Sequence, residues 1–183
     1  MAAAVNGQLC EQTLEGTLYK EGTILVNDLI GYKIGRNVPP VNATAKTLRK
    51  LSDDIEERNP DLLEQLCSKL NFTHETGYNS FSAIANTVFS DGIINWGRIV
   101  VLLAFSARLG RYCEENNMSD QIESISGWTA RFLTDLGWIQ AQGGWKSLQN
   151  RFQDLGENNS WWKSALITTA FGIGSIAVFT MCK

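Results

Sequence analysis

The chain has 183 residues, 44% apolar and 19% charged, which is room for one domain with a true core and the composition of a folded protein rather than a disordered one. Its formal net charge is −3, with no basic stripe to neutralise phosphates, so nucleic acid is excluded as an expected partner. One histidine, His74, and four scattered cysteines, Cys10, Cys67, Cys113 and Cys182, leave no metal-ligand spacing, so neither a metal nor a cofactor is expected.

Met1-Ala-Ala-Ala-Val5 has no cationic start or long apolar run, so no signal peptide is expected, and Ala2 excludes N-myristoylation. The cysteines therefore read as reduced thiols, and the Asn-x-Ser/Thr matches at Asn42, Asn71 and Asn158 carry no glycosylation signal. The periodicity is helical throughout. Thr23 to Ile34 predicts a helix with Ile24, Leu25, Leu29 and Tyr32 on its apolar face. Gly35 is its C-cap, and Pro39-Pro40 prevents continuation. Ala45 to Asn59 is a second helix, with Leu48, Leu51 and Ile55 spaced i, i+3, i+7. Asn59-Pro60 reads as an N-cap followed by proline at the first helical position, opening a helix through Leu63, Leu66 and Leu70. Tyr78 to Phe89 follows, closed by Ser90-Asp91-Gly92.

Asn95 to Tyr112 differs in kind. From Trp96 to Leu109 apolar residues surround the helix, so it must be central, with Asn95 as its N-cap. Asp120 with Glu123 opens a helix carrying Ile122, Ile125, Trp128, Phe132 and Leu133. Leu136 to Ala141 and Trp145 to Leu155 are short helices split by Gly143-Gly144. From Ser164 to Met181 there is no charge over about 18 residues, close to the length that spans a bilayer. Trp161-Trp162 sit where an interfacial aromatic belt would lie, and Lys163 and Lys183 bracket the run, as in a transmembrane tail anchor. Ala170 and Gly174 form a small-xxx-small pair. The expected fold is all-α, about eight helices round a central apolar helix plus a C-terminal transmembrane helix. The domains are 1–22 as an N-terminal segment, 23–159 as the bundle and 160–183 as the anchor.

Three segments together resemble the Bcl-2 family of apoptosis regulators. Asn95-Trp-Gly-Arg-Ile-Val-Val-Leu-Leu-Ala-Phe105 resembles its first homology motif and Trp138-Ile-Gln-Ala-Gln-Gly-Gly-Trp145 its second. Thr47-Leu-Arg-Lys-Leu-Ser-Asp-Asp-Ile55 resembles the third, a Leu, three residues, a small residue, then Asp. The resemblance runs from about Thr23 to Lys183 and implies a Bcl-2-like bundle that binds partner helices in a hydrophobic groove and catalyses nothing. Trp96 and Trp145 are large packing anchors, and Gly97 permits close helix approach.

In that family the arginine matching Arg98 meets the Asp of an incoming amphipathic helix at the groove edge, a helix-in-groove recognition. On that basis Arg98 is expected to be open to water in the free protein. Carried over position by position, the groove comprises Ile55, Leu62, Leu63, Leu66, Ile84, Val88, Arg98, Phe105 and Phe152, with Asn95 hydrogen-bonding near the incoming Asp. Asn59-Pro60 departs from the pattern by interrupting one groove wall. The partners implied are death-motif helices of Bak- and Bax-like relatives, homo- or hetero-dimers within the family, and a membrane through the tail. The location implied is the cytoplasmic face of the mitochondrial outer membrane or the endoplasmic reticulum. Leu25 to Ile34 resembles the fourth homology segment of pro-survival members, whereas segments like Phe89-Ser-Asp-Gly also occur in Bax- and Bak-like effectors, which permeabilise that membrane. A membrane-anchored helical adaptor using another surface is a third reading. Ser52-Asp53-Asp54 lacks a second carboxylate pair, and His74 lacks a nucleophile, so no enzyme is expected.

Overall fold

Seven helices and no strand occur among the described residues of the computed structural model, which are 2–58, 63, 67, 70 and 72–152, with side chains from Thr13 onward. The helices are α1 (Ala2–Lys33), α2 (Ala43–Arg58), α3 (Gly77–Val88), α4 (Trp96–Glu115), α5 (Gln121–Asp135), α6 (Trp138–Ala141) and α7 (Lys146–Phe152). Of the expected helix from Pro60 to Leu70, Leu63 and Cys67 are helical; Leu62, Leu66 and the Asn59-Pro60 break lie outside the described residues. So does the expected anchor, residues 160–183. Among the described residues no helix is long and apolar enough to cross a membrane.

α4 occupies the centre because it has no polar face to offer water. Every residue from Trp96 to Ala107 is buried, followed by Leu109, Gly110 and Cys113. α1, α2, α3 and α5 all pack on it. Its buried hydroxyl is paired: the Thr129 hydroxyl donates to Ser106 Oγ at 2.8 Å, and Ser106 Oγ donates to the Leu102 carbonyl at 2.9 Å. A close helix approach on α4 falls at Gly110. A Cβ there would lie 2.5 Å from Ile30 Cγ2 on α1.

α1 begins 21 residues before the expected Thr23, because helical packing continues upstream of it. Leu18 is buried, and Gly22 lies under the Trp145 indole, where a Cβ would come within 3.1 Å of Cζ2. Trp145 Nε1 donates to the Leu18 carbonyl at 3.1 Å, binding α1 to the far end of the second motif. The buried face of α1 is Leu25, Val26, Leu29 and Ile30; Ile24, expected on that face, is 52% exposed. The helix ends as predicted: Gly35 takes φ +83°, and its N–H donates to the Tyr32 carbonyl. Gly143 and Gly144, also with positive φ, make the turn between α6 and α7.

Candidate functional site

The site is built outward from the start of α4. Asn95 is extended, and its Oδ1 accepts the Arg98 N–H at 3.0 Å, so it caps the helix as its side-chain chemistry dictates. That bond holds the Asn95 carboxamide against its own helix. The first turn then sends Trp96 against Trp138 of α6, an edge-to-face pair 5.1 Å between centroids, which couples the first motif to the second.

Arg98 overturns one expectation outright. It is not open to water: its relative exposure is 0%, and it is among the largest fully buried side chains of the protein. A buried guanidinium must be paired. Its partner is Asp91, seven residues earlier in the turn after α3. Both terminal nitrogens donate to the Asp91 carboxylate, Nη2 at 2.6 Å to Oδ2 and Nη1 to Oδ1, and Nη1 also donates to the Ile93 carbonyl at 2.7 Å. Arg98 Nε is buried with no acceptor. Asp91 Oδ1 additionally accepts the Ile93 N–H at 3.0 Å. The Arg98 guanidinium and then the Ile93 N–H hold the Asp91 carboxyl down at about 2, well below the usual carboxylate range. Sequence reading missed Asp91 because Ser90-Asp91-Gly92 has the composition of a plain turn, and composition does not show which way a turn's side chain faces.

The described apolar residues carried over from the family are residues of the core. Ile55 on α2, Leu63, Ile84 and Val88 on α3, Phe105 on α4 and Phe152 on α7 all belong to the same buried cluster. Each of them is buried.

The third motif occupies α2, with Leu48, Leu51, Ser52 and Ile55 turned inward. Its polar side is fastened to α1. Asp53 accepts from the Tyr32 hydroxyl at 2.8 Å and from Lys33 Nζ at 2.6 Å, and Lys33 also reaches Glu56 at 2.9 Å. Arg49 forms a two-pronged pair with Asp28, both at 2.8 Å, and its guanidinium lies 4.8 Å from the Tyr32 ring centroid. The Tyr32-Lys33 end of the fourth segment is therefore the partner of the motif's own Asp. The hydrogen bond to the Asp53 carboxylate raises the Tyr32 hydroxyl above its ordinary value.

Other reactive groups are spoken for. Burial pushes the Cys67 thiol up to about 11 and the Cys113 thiol to about 12, so both stay protonated at neutral pH and neither is an activated nucleophile. His74 sits in the turn before α3 and contacts Asp120 at 3.1 Å; Asp120, at the N-cap position of α5, has helical backbone angles and makes no side-chain cap. Among the described residues no cluster of three or more His, Cys, Asp or Glu could hold a metal ion.

Residues 48–145 match the profile of the family described as apoptosis regulator proteins, Bcl-2 family. Bcl-2-like protein 1 of Rattus norvegicus is 36% identical over 127 residues, covering 68% of this chain and 52% of that protein, so the chain spans about half the length of these curated relatives. Apoptosis regulator BAX of Homo sapiens is 31% identical over 151 residues, covering 74% of this chain and 77% of BAX. Among solved structures, the zebra-fish pro-survival protein NRZ in complex with Bad BH3 superposes with a TM-score of 0.70 at 19% identity, covering 78% of this chain and 99% of NRZ. Trichoplax adhaerens trBcl-2L2 bound to trBak BH3 superposes at 0.64 and 27% identity, covering 74% and 97%.

Proposed function

This chain belongs to the Bcl-2 family of apoptosis regulators, and from that premise we propose that it acts as a pro-survival member, sequestering the amphipathic death-motif helices of Bak- and Bax-like and death-motif-only proteins in a hydrophobic groove. The observation that carries the reading is Arg98, a permanently charged side chain buried at the start of the central helix of a bundle whose core draws apolar residues from α2, α3, α4 and α7. Such a charge recognises one carboxylate on an otherwise apolar partner face, with the apolar burial supplying most of the affinity and the charge fixing register. The Trichoplax neighbour, which is bound to a Bak BH3 segment, supports the same mode. The clamp of Tyr32 and Lys33 on Asp53 supports the pro-survival side, because it keeps the chain's own third motif as a structural helix.

The similarity to BAX, over three-quarters of that protein, favours an effector as the second reading. In either case the tail from residue 160 is proposed to insert as a single-pass anchor, with the bundle on the cytoplasmic face of the mitochondrial outer membrane or endoplasmic reticulum. Liposome flotation of the full chain against one ending at Asn159 tests that insertion; equal flotation removes it.

Calorimetry with a death-motif peptide and its Asp→Ala version tests the groove. The native protein should bind the Asp peptide more tightly by about tenfold, roughly 1.4 kcal/mol. In Arg98→Gln, which spares the core the cavity an alanine would leave, the two peptides should bind alike, since either change removes the same pair. Equal binding of both peptides by the native protein would place recognition elsewhere. With a Bax-like effector on liposomes, protection marks the guardian and autonomous leakage the effector.

A further inference from the structure

The Arg98 guanidinium is already occupied. In the free protein its two terminal nitrogens hold the carboxylate of Asp91, the ligand type that a partner helix would bring. The two ends of this pair differ sharply in their surroundings. Arg98 is sealed in the core, its side chain 1% exposed, whereas that of Asp91 is 42% exposed in a surface turn beside Gly92, whose φ is +75°. Asp91 can therefore be hydrated once it leaves the pair, while Arg98 can neither leave nor remain buried without a counter-charge, so Asp91 is released only when another carboxylate takes its place.

We propose that Asp91 is a built-in stand-in for the partner's carboxylate, and that docking of a death-motif helix exchanges the one for the other on Arg98. The proposal rests on the groove reading above and adds to it a competitor within the chain. Asp91 engages the guanidinium end-on, through Nη1 and Nη2, and leaves the Nε–H buried without an acceptor. A carboxylate arriving side-on, across Nε and Nη2, satisfies the donor that Asp91 misses, and this gives the incoming group its advantage. Exposed Ile93, two residues from Asp91, stands beside the exchange site as apolar surface for the same partner to cover.

The consequence is a selectivity device. A helix with the Asp replaces one satisfied pair with a better one. A helix without it leaves Asp91 on Arg98, so no buried charge is stranded but nothing is gained. The ion pair thus adds less affinity than an unoccupied arginine would provide, and Asp91 sets by how much.

The test measures Kd of native protein and Asp91→Asn, both as the full chain in detergent, for a death-motif peptide and its Asp→Ala version. Asp91→Asn should bind the Asp peptide at least about tenfold more tightly than the native protein and leave the Asp→Ala peptide within about twofold, widening the discrimination tenfold. If Asp91→Asn folds poorly, Asp91→Ser, which keeps an uncharged acceptor, takes its place in the same comparison. Unchanged or weaker binding of the Asp peptide, with the native protein still preferring it, would overturn the exchange alone and make Asp91 a brace that holds Arg98 in place. Failure of both proteins to distinguish the peptides would overturn the groove reading, and the exchange with it.

Discussion

Gly110→Ala is a sharp test of how the central helix is packed. The Cβ that alanine adds would lie 2.5 Å from Ile30 Cγ2, 3.1 Å from Cγ1 and 3.2 Å from Cδ1. Carbon atoms in comfortable contact stand about 3.5–4.0 Å apart, so the first contact is short by about 1 Å. Ile30 cannot turn aside: it is fully buried, and a β-branched side chain in a helix has one strongly preferred χ1. α1 cannot easily lift either, since it is held by the Trp145–Leu18 bond at one end and by the Lys33 and Asp28 pairs at the other. Overpacking of this kind costs about 1–3 kcal/mol, against about 1 kcal/mol gained from replacing glycine in a helix interior. The net expectation is a loss of up to about 2 kcal/mol, read as a fall in midpoint at constant slope in urea titration of the chain ending at Asn159. The sign should reverse in an Ile30→Ala background, where all three obstructing atoms are gone, and should not reverse in Ile30→Val, which retains Cγ2. A stabilising Gly110→Ala in the native background, or an equal cost in Ile30→Ala, would refute the close approach of α1 to α4.

Two further outcomes follow from groups around the site. Ser52 Oγ is buried without a hydrogen-bond partner, so Ser52→Ala should raise stability by about 1 kcal/mol in thermal unfolding, because it removes an uncompensated desolvation; a lower midpoint would mean the hydroxyl is satisfied in solution. Because the folded Asp91 carboxyl is held at about 2, below its unfolded value, the stabilisation it provides is complete above about pH 4 and drains away as pH falls from there towards 2. Acid titration of unfolding should show that drop in the native protein and a shallower one in Asp91→Asn; parallel curves would remove the Arg98 contact as its cause.

Much of this protein was legible before any coordinates, because periodicity and capping are local. The all-round apolar character of Trp96 to Leu109 announced a central helix, and Asn95, Gly35 and the Gly143-Gly144 pair marked their caps and turns by chemistry that acts within a few residues. The inward side of α2 followed from the spacing of Leu48, Leu51 and Ile55. The family motifs were readable for the same reason, since each is a short run of residue types.

What the sequence could not carry were relations set by how the helices and turns fold onto one another. α1 reaches back through Gly22 because Trp145, more than a hundred residues later, lies against it. Ile24 faces solvent because the helices packed on α1 select Leu25, Val26, Leu29 and Ile30. From the family resemblance Arg98 was expected to be open to water at a groove edge. Only the folded turn after α3 brings the Asp91 carboxylate onto it, and that pairing allows a guanidinium to be buried in the core. Sequence determined which residues could form helices and which face of most helices was apolar. Tertiary packing decided which charges were sealed and by what, because desolvation depends on everything that surrounds a group rather than on its neighbours in the chain.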